Sequence, residues 1–195
     1  MTLTPKIEKA IKRASALHEG QLRKSTKNVP YITHLFSVAD LLSTYADKED
    51  VIVAGLLHDT LEDTLYTEEE LESEFGSSVK ETVLSVTEVT FFQRNSVVFS
   101  WRERKEIYLE KLRTAGADAL MVSAADKIDN LEGMIEGYRR NGQSVWESFR
   151  GSPEEQAWFF GAVLAILEER LQSDIVQHFR RIFEESKKVF LIPNL

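Results

Sequence analysis

A chain of 195 residues with no cysteine cannot use disulfides, zinc ribbons or thiol nucleophiles, so any metal site must come from His, Asp, Glu and carbonyl oxygens. A formal charge of −8 with no segregated basic stripe excludes nucleic-acid polymers as partners, although local basic residues and a metal can still capture a small polyanion. With 43% hydrophobic and 29% charged residues, four prolines and no low-complexity tract, the composition predicts one globular domain spanning residues 1–195.

The elements follow in order. Thr4-Pro5 supplies an N-cap with proline in the first turn, and Ile7, Ala10, Ile11, Ala14 and Leu17 recur at helical spacing, so the first helix ends near His18-Glu19-Gly20. Residues 21–30 concentrate basic and turn-forming side chains without an apolar period and form a positively charged loop. A second helix opens at Pro30-Tyr31-Ile32-Thr33-His34, with Leu35, Val38, Ala39 and Leu42 on its apolar face and His34 in its first turn. A central helix then carries Val51 to His58. Thr67 and Glu70 form a capping-box pattern for a short acidic helix that stops at Phe75-Gly76.

Val79, Val83 and Val86 keep a helical period, although β-branching would also suit a strand. Phe91 to Ser100 breaks the pattern and is expected to be an irregular loop or a small hairpin. Further helices are predicted over Trp101–Leu112, from Gly116-Ala117-Asp118 through Leu131, over Ala157–Leu171 and over Ile175–Val189. The fold class is therefore all-α. The apolar stretch Ala157 to Leu167 is too short to cross a bilayer, and the N-terminus has no signal-peptide core, so a cytoplasmic protein without membrane contact is expected. Trp158, Phe159 and Phe160 suit either a core or the face of a homo-oligomer.

Chemistry concentrates in Leu56-Leu57-His58-Asp59-Thr60-Leu61-Glu62-Asp63-Thr64, where an apolar run presents one imidazole and three carboxylates within six positions. Burying such a cluster without a cation is costly. In an unbroken helix His58 and Glu62 would share one face, and Asp59 and Asp63 the next. Imidazole with carboxylate suits a hard or borderline divalent ion, and the spacing alone does not choose among manganese, iron, magnesium and zinc. Asp126 and Asn130 share a face of a later helix.

His34, His58-Asp59 and Asp126 together make an H…HD…D series that resembles the metal ligands of the HD-domain phosphohydrolase superfamily. Gly20-Gln21-Leu22-Arg23-Lys24, Pro30-Tyr31-Ile32-Thr33-His34, the HDxxEDT string, Phe75-Gly76 and Ala125-Asp126-Lys127-Ile128-Asp129-Asn130-Leu131 narrow the resemblance to the hydrolase domain of RelA/SpoT proteins and to free-standing small alarmone hydrolases. It covers roughly residues 10 to 135. Thr26 and Asn28 stand where the long RelA/SpoT proteins carry a glycine-containing turn.

The resemblance implies a single HD-domain helical bundle that removes the 3′-pyrophosphate from guanosine tetra- or pentaphosphate with manganese. It implies His34, His58, Asp59 and Asp126 as metal ligands, and Glu62 and Asp63 as the residues that position or deprotonate the attacking water. Arg23, Lys24, Tyr31 and Asn130 would hold the nucleotide, with Tyr31 available to stack on the base. His18 and His178 are taken as packing residues. Two alternatives stay open: an HD-domain nucleotide phosphatase acting on a 5′-, 2′- or 3′-phosphate, and a helical interaction module that keeps a metal only for folding.

Overall fold

The computed structural model describes residues 1–23, 28–88 and 99–190, and over these the chain is helical. The elements are α1 (Pro5–Leu17), α2 (Ile32–Tyr45), α3 (Glu49–Leu57), α4 (Thr60–Asp63), α5 (Glu68–Phe75), α6 (Ser77–Val86), α7 (Trp101–Thr114), α8 (Ala117–Asn141), a 3-10 segment (Gly142–Ser148), α9 (Pro153–Arg170) and α10 (Asp174–Phe190). Among the described residues the one β-type pairing is an isolated antiparallel bridge between Leu22 and Pro30. The all-α expectation holds. The hairpin or irregular loop expected near residues 91–100 falls almost wholly on residues 89–98, outside the described residues.

The caps explain where the helices begin and end. Thr4 accepts the Ile7 N–H at 3.2 Å ahead of Pro5, and Thr67 with Glu70 completes both bonds of its capping box. Gly76 ends α5 at φ 91°, a left-handed conformation that glycine adopts without penalty. Ser100 with Glu103 and Ser152 with Glu155 form two more capping boxes, at the starts of α7 and α9. The valines at 79, 83 and 86 lie in α6, so helical period outweighs β-branching there. The 3-10 segment after Gly142 was not foreseen, since its seven residues are too few to display a period.

The central helix ends within one residue of the expected His58. It ends at Leu57, His58 and Asp59 form a turn, and a separate short helix resumes at Thr60. His58 and Asp59 therefore do not sit on successive faces of one continuous helix.

α8 is the axis of the core. It packs against α2, α3, α6, α9 and α10, and its stretch from Ala119 to Ile128 is buried throughout. Ser123 bonds the Tyr108 hydroxyl of α7 at 2.8 Å, Ala124 and Ala125 after it are fully buried, and Asp126 follows on the same helix, which packs against both α2 and α3. Phe159 and Phe160 enter this core, and Trp158 is half-buried with the Arg102 guanidinium 3.2 Å above its ring, so the aromatic triple serves packing within the chain.

Gly55 is the closest crossing. A side-chain Cβ there would overlap Leu42 Cδ1 and stand 3.4 Å from Val38 Cγ1, so the α2 side chains pack directly on the α3 backbone just before His58. Leu42 is fully buried and has little room to yield. Gly55→Val should lower the unfolding free energy by about 2 kcal/mol or more through overpacking. Urea denaturation measures this, and an unchanged midpoint would contradict the packing described.

Candidate metal centre

Three parts of the chain meet at the end of the α2–α3–α8 contact. His34 comes from the first turn of α2, His58 and Asp59 from the turn between α3 and α4, and Asp126 from the middle of α8. The break after Leu57 lets two adjacent side chains face one point. His34 and His58 are 2% and 3% exposed and Asp126 is 7% exposed, so the charges among them are shielded from water.

The ligand atoms cluster. His58 Nε2 stands 3.1 Å from Asp59 Oδ2 and 3.7 Å from Asp126 Oδ1, and His34 Nε2 stands 3.5 Å and 3.3 Å from the same two oxygens. One ligand atom each from His34, His58 and Asp126 lies within 4.8 Å of the others. A first-row divalent ion with bonds of about 2.0–2.2 Å spaces its ligand atoms by roughly 3–4.4 Å, and the cluster has that spacing.

Both imidazoles have their tautomer set from behind. His58 Nδ1 donates to the Gly55 carbonyl at 2.8 Å, and His34 Nδ1 donates to Asp129 Oδ2 at 2.6 Å. Each Nε2 lone pair is thereby turned to the shared centre, the arrangement that metal-binding histidines use. His58 Nε2 is buried and faces only the Asp59 and Asp126 carboxylates, without a well-aligned hydrogen bond to either, a setting that suits a cation between them. The residues fit a divalent ion. His34, His58, Asp59 and Asp126 would hold it.

Charges respond to the missing positive centre. Burial opposes ionisation of both histidines, but for His34 the bonds to Asp126, Asp129 and Asp59 win and push its pKa up to about 9. For His58 the charge of Asp59 and the bonds to Asp126 and Asp59 outweigh burial, and its pKa lies well above the usual value. Burial would raise the two aspartates. The His58 charge and the His34 bond hold Asp59 well below the carboxylate range, and Lys127, His34 and His58 do so for Asp126. In the metal-free protein, protons on the imidazoles therefore supply the positive charge that an ion would supply.

Glu62 follows on α4. Its Oε2 accepts the Glu88 backbone N–H at 3.0 Å, while Glu88 itself pairs with Lys105. Burial, then the charges of Glu88, Asp59 and Asp63, push the Glu62 carboxyl up to about 8 against that backbone bond. A carboxyl with such a pKa beside a metal is suited to taking a proton near neutrality. The Asp63 side chain is exposed, and its carbonyl accepts the Gln21 amide at 3.2 Å.

The residues assigned to the nucleotide lie close by, turned inward. The Tyr31 hydroxyl donates to Asp59 Oδ2 at 2.5 Å, and its ring stacks on His18 at 5.1 Å. Asn130 donates to Asp126 Oδ1 at 2.5 Å, and Arg23 donates to Asp129 Oδ2 at 2.7 Å. Lys24 lies outside the described residues. Asn28 has φ 64°, so it takes the left-handed turn position in the loop without a glycine.

Sequence reasoning gave no role to Asp129, Lys127 or His18. Asp129 is three residues past Asp126, and that spacing was the available signal. Lys127 pairs with Asp126 Oδ2 over the Tyr108 ring. His18 is buried, with Nδ1 donating to Gln21 Oε1 at 2.7 Å, and nothing in its local sequence distinguishes it from a packing residue.

An all-helical bundle that brings two histidines and two aspartates within 3.1–3.7 Å of one another offers the donor set that metal-dependent hydrolases use. The model of the HD domain family matches residues 10–153, and the chain belongs to that family, with a divalent metal as its cofactor. A zebrafish protein named guanosine-3′,5′-bis(diphosphate) 3′-pyrophosphohydrolase MESH1 is 37% identical over 165 residues, covering 82% of this chain and 86% of its own. A Myxococcus xanthus protein named GTP pyrophosphokinase is 38% identical over 127 residues, and the match spans 64% of this chain but 16% of that much longer protein. Among solved structures, a metazoan ortholog of SpoT described as hydrolysing ppGpp superposes with a TM-score of 0.74 at 25% identity, over 95% of this chain and 97% of its own. A Listeria monocytogenes protein superposes with a TM-score of 0.70 at 31% identity, over 82% of this chain and 99% of its own.

Removal of Asp126 tests the centre directly: folded Asp126→Ala should carry no stoichiometric metal by elemental analysis, and full occupancy would refute the assignment. The metal's effect on stability should also depend on pH. Because His34 is raised from 6.5 to about 9, its protonated form stabilises the metal-free fold fully below about pH 6.5, and that contribution is lost as pH rises through about 9. The ion competes with the same proton, so the rise in melting temperature on adding metal should be larger at pH 9 than at pH 6.5. Scanning calorimetry with and without metal reads this difference, and an equal or smaller shift at pH 9 would contradict it.

Proposed function

We propose that this chain works as a single-domain, manganese-dependent phosphohydrolase that removes the 3′-pyrophosphate of guanosine 3′,5′-bis(diphosphate)-like alarmones, yielding GDP or GTP. The observation that carries the reading is the convergence of His34, His58 and Asp126, with Asp59 beside them, at the start of the short helix that bears Glu62. The names of the MESH1 relatives supply the substrate class. A small nucleotide rather than a polymer fits the −8 charge, and a cytoplasmic setting fits a chain without cysteine.

A divalent ion held by His34, His58, Asp59 and Asp126 would supply Lewis acidity, making a water easier to deprotonate and polarising a phosphoryl oxygen. Glu62 takes the proton of the attacking water as its oxygen bonds to the 3′-phosphorus. The bond from phosphorus to the ribose 3′-oxygen breaks, and that oxygen gains a proton as pyrophosphate leaves. Asp63, exposed at the end of α4, orients the water from the solvent side. Burial of the histidines and of Asp126 keeps competing water from the ligands.

Glu62→Gln keeps the size of the side chain but cannot accept a proton. Turnover should fall at least about a hundredfold while metal binding persists. In the wild type the active, ionised Glu62 grows as pH rises toward about 8, so turnover should climb from neutral to mildly alkaline pH, earlier once the ion's charge is present. Near-wild-type turnover of the glutamine variant would remove Glu62 from the chemistry. Product analysis tests the substrate: GDP and pyrophosphate are expected, whereas inorganic phosphate with faster turnover of nucleoside monophosphates would point to a nucleotidase.

A further inference from the structure

Arg23 does not project from its loop as a free cation. Its Nη2 donates to Asp129 Oδ2 at 2.7 Å, and that same oxygen accepts the His34 Nδ1–H at 2.6 Å. The two side chains of the ion pair are 11% and 15% exposed, so water screens the contact weakly. We propose that Arg23 is a positioning residue for the metal centre, fixing Asp129 so that Asp129 fixes His34, and that it thereby sets the affinity for the divalent ion before any nucleotide arrives.

The backbone holds Arg23 for this task. Its N–H donates to the Val29 carbonyl at 2.9 Å, Leu22 and Pro30 bridge, and the Tyr31 N–H donates to the Gln21 carbonyl at 2.8 Å, so the loop is pinned immediately beside α2. Gln21 ties the same strap to α4 through the Asp63 carbonyl. A guanidinium delivered from this strap reaches α8 across the mouth of the centre.

A carboxylate bonded only to one imidazole can rotate about its terminal torsion, which is broad. With a second, charged donor on the same oxygen it cannot rotate without losing a charge-assisted bond. An ionised, fixed Asp129 keeps the proton on His34 Nδ1 and makes Nε2 a better donor to a metal. Loss of such a partner behind a ligating histidine typically weakens metal binding tenfold to a hundredfold.

A direct phosphate contact by Arg23 makes a different prediction. A phosphate that drew the guanidinium away would strip Asp129 of its partner, and the guanidinium would matter only when nucleotide is present. The inference rests on the metal centre of the proposed function and not on its substrate, so the test contains no nucleotide.

Calorimetric titration of the metal-free protein with manganese decides it, with circular dichroism confirming that each variant is folded. Arg23→Gln should raise the manganese Kd about tenfold or more, and Arg23→Lys should raise it less, because the charge stays while the planar fork is lost. Asp129→Asn still accepts the His34 bond but lacks the charge, and it should match Arg23→Gln. The double variant should be no weaker than Asp129→Asn alone. An unchanged Kd for Arg23→Gln, above all with a raised KM for substrate, would overturn the role, as would additive losses in the double variant. If Arg23→Gln does not fold, Asp129→Asn decides alone, and an unchanged Kd there overturns the role. Wild-type protein that binds no manganese would instead overturn the centre itself, a result separable from any Arg23 effect.

Discussion

Two imidazoles and two carboxylates meet at one point in the fold, where each proton or cation among them must balance two carboxylate charges out of reach of bulk water. The atoms stand 3.1–3.7 Å apart, close enough that the histidines are driven up and the aspartates down. Uncompensated, such a cluster is destabilising. A divalent ion resolves it with one charge centre. Everything nearby serves to hold the four donors where that ion can satisfy them, from α8, which packs against both α2 and α3, to the glycine at 55 that gives His58 its carbonyl partner.

The meeting of His34, His58-Asp59 and Asp126 was legible in the sequence because imidazoles and carboxylates in apolar helices are rare enough to stand out together. The helices were legible for the same kind of reason: Thr4-Pro5, Thr67 with Glu70 and the valines of α6 carry caps or periods that local energetics enforce. The turn at His58-Asp59 was not. An unbroken period running through Thr60 and Leu61 gives no local reason to stop a helix, and tertiary demand for two adjacent ligands at one point overrides it. Asp129 was hidden for a related reason, since its importance lies in His34, which is 95 residues away in the chain.

Arg23, Tyr31 and Asn130 show how far residue type alone can carry a role. Each is chemically able to bind a nucleotide, and sequence patterning places each near the site. In the structure each donates to a carboxylate of the centre: Tyr31 to Asp59, Asn130 to Asp126 and Arg23 to Asp129 behind His34. With Gly55 behind His58, every ligand has a partner that orients it. The result is a centre whose geometry is set before substrate binds, which is the condition under which electrostatic stabilisation of a transition state costs least reorganisation.

That inward commitment also bears on how a polyphosphate is admitted. Around the centre lie Asp59, Asp126, Asp129, Glu62 and Asp63, and the cations Arg23 and Lys127 are paired with Asp129 and Asp126. On a chain of charge −8, a phosphate approaching this cluster alone meets repulsion at short range, where the buried setting weakens screening. A divalent ion reverses the local sign and gives the phosphate oxygens something to approach. On the proposed function the ion therefore precedes the nucleotide, and the residues that tune ion affinity, with Arg23 and Asp129 foremost among them, govern substrate binding without touching the substrate.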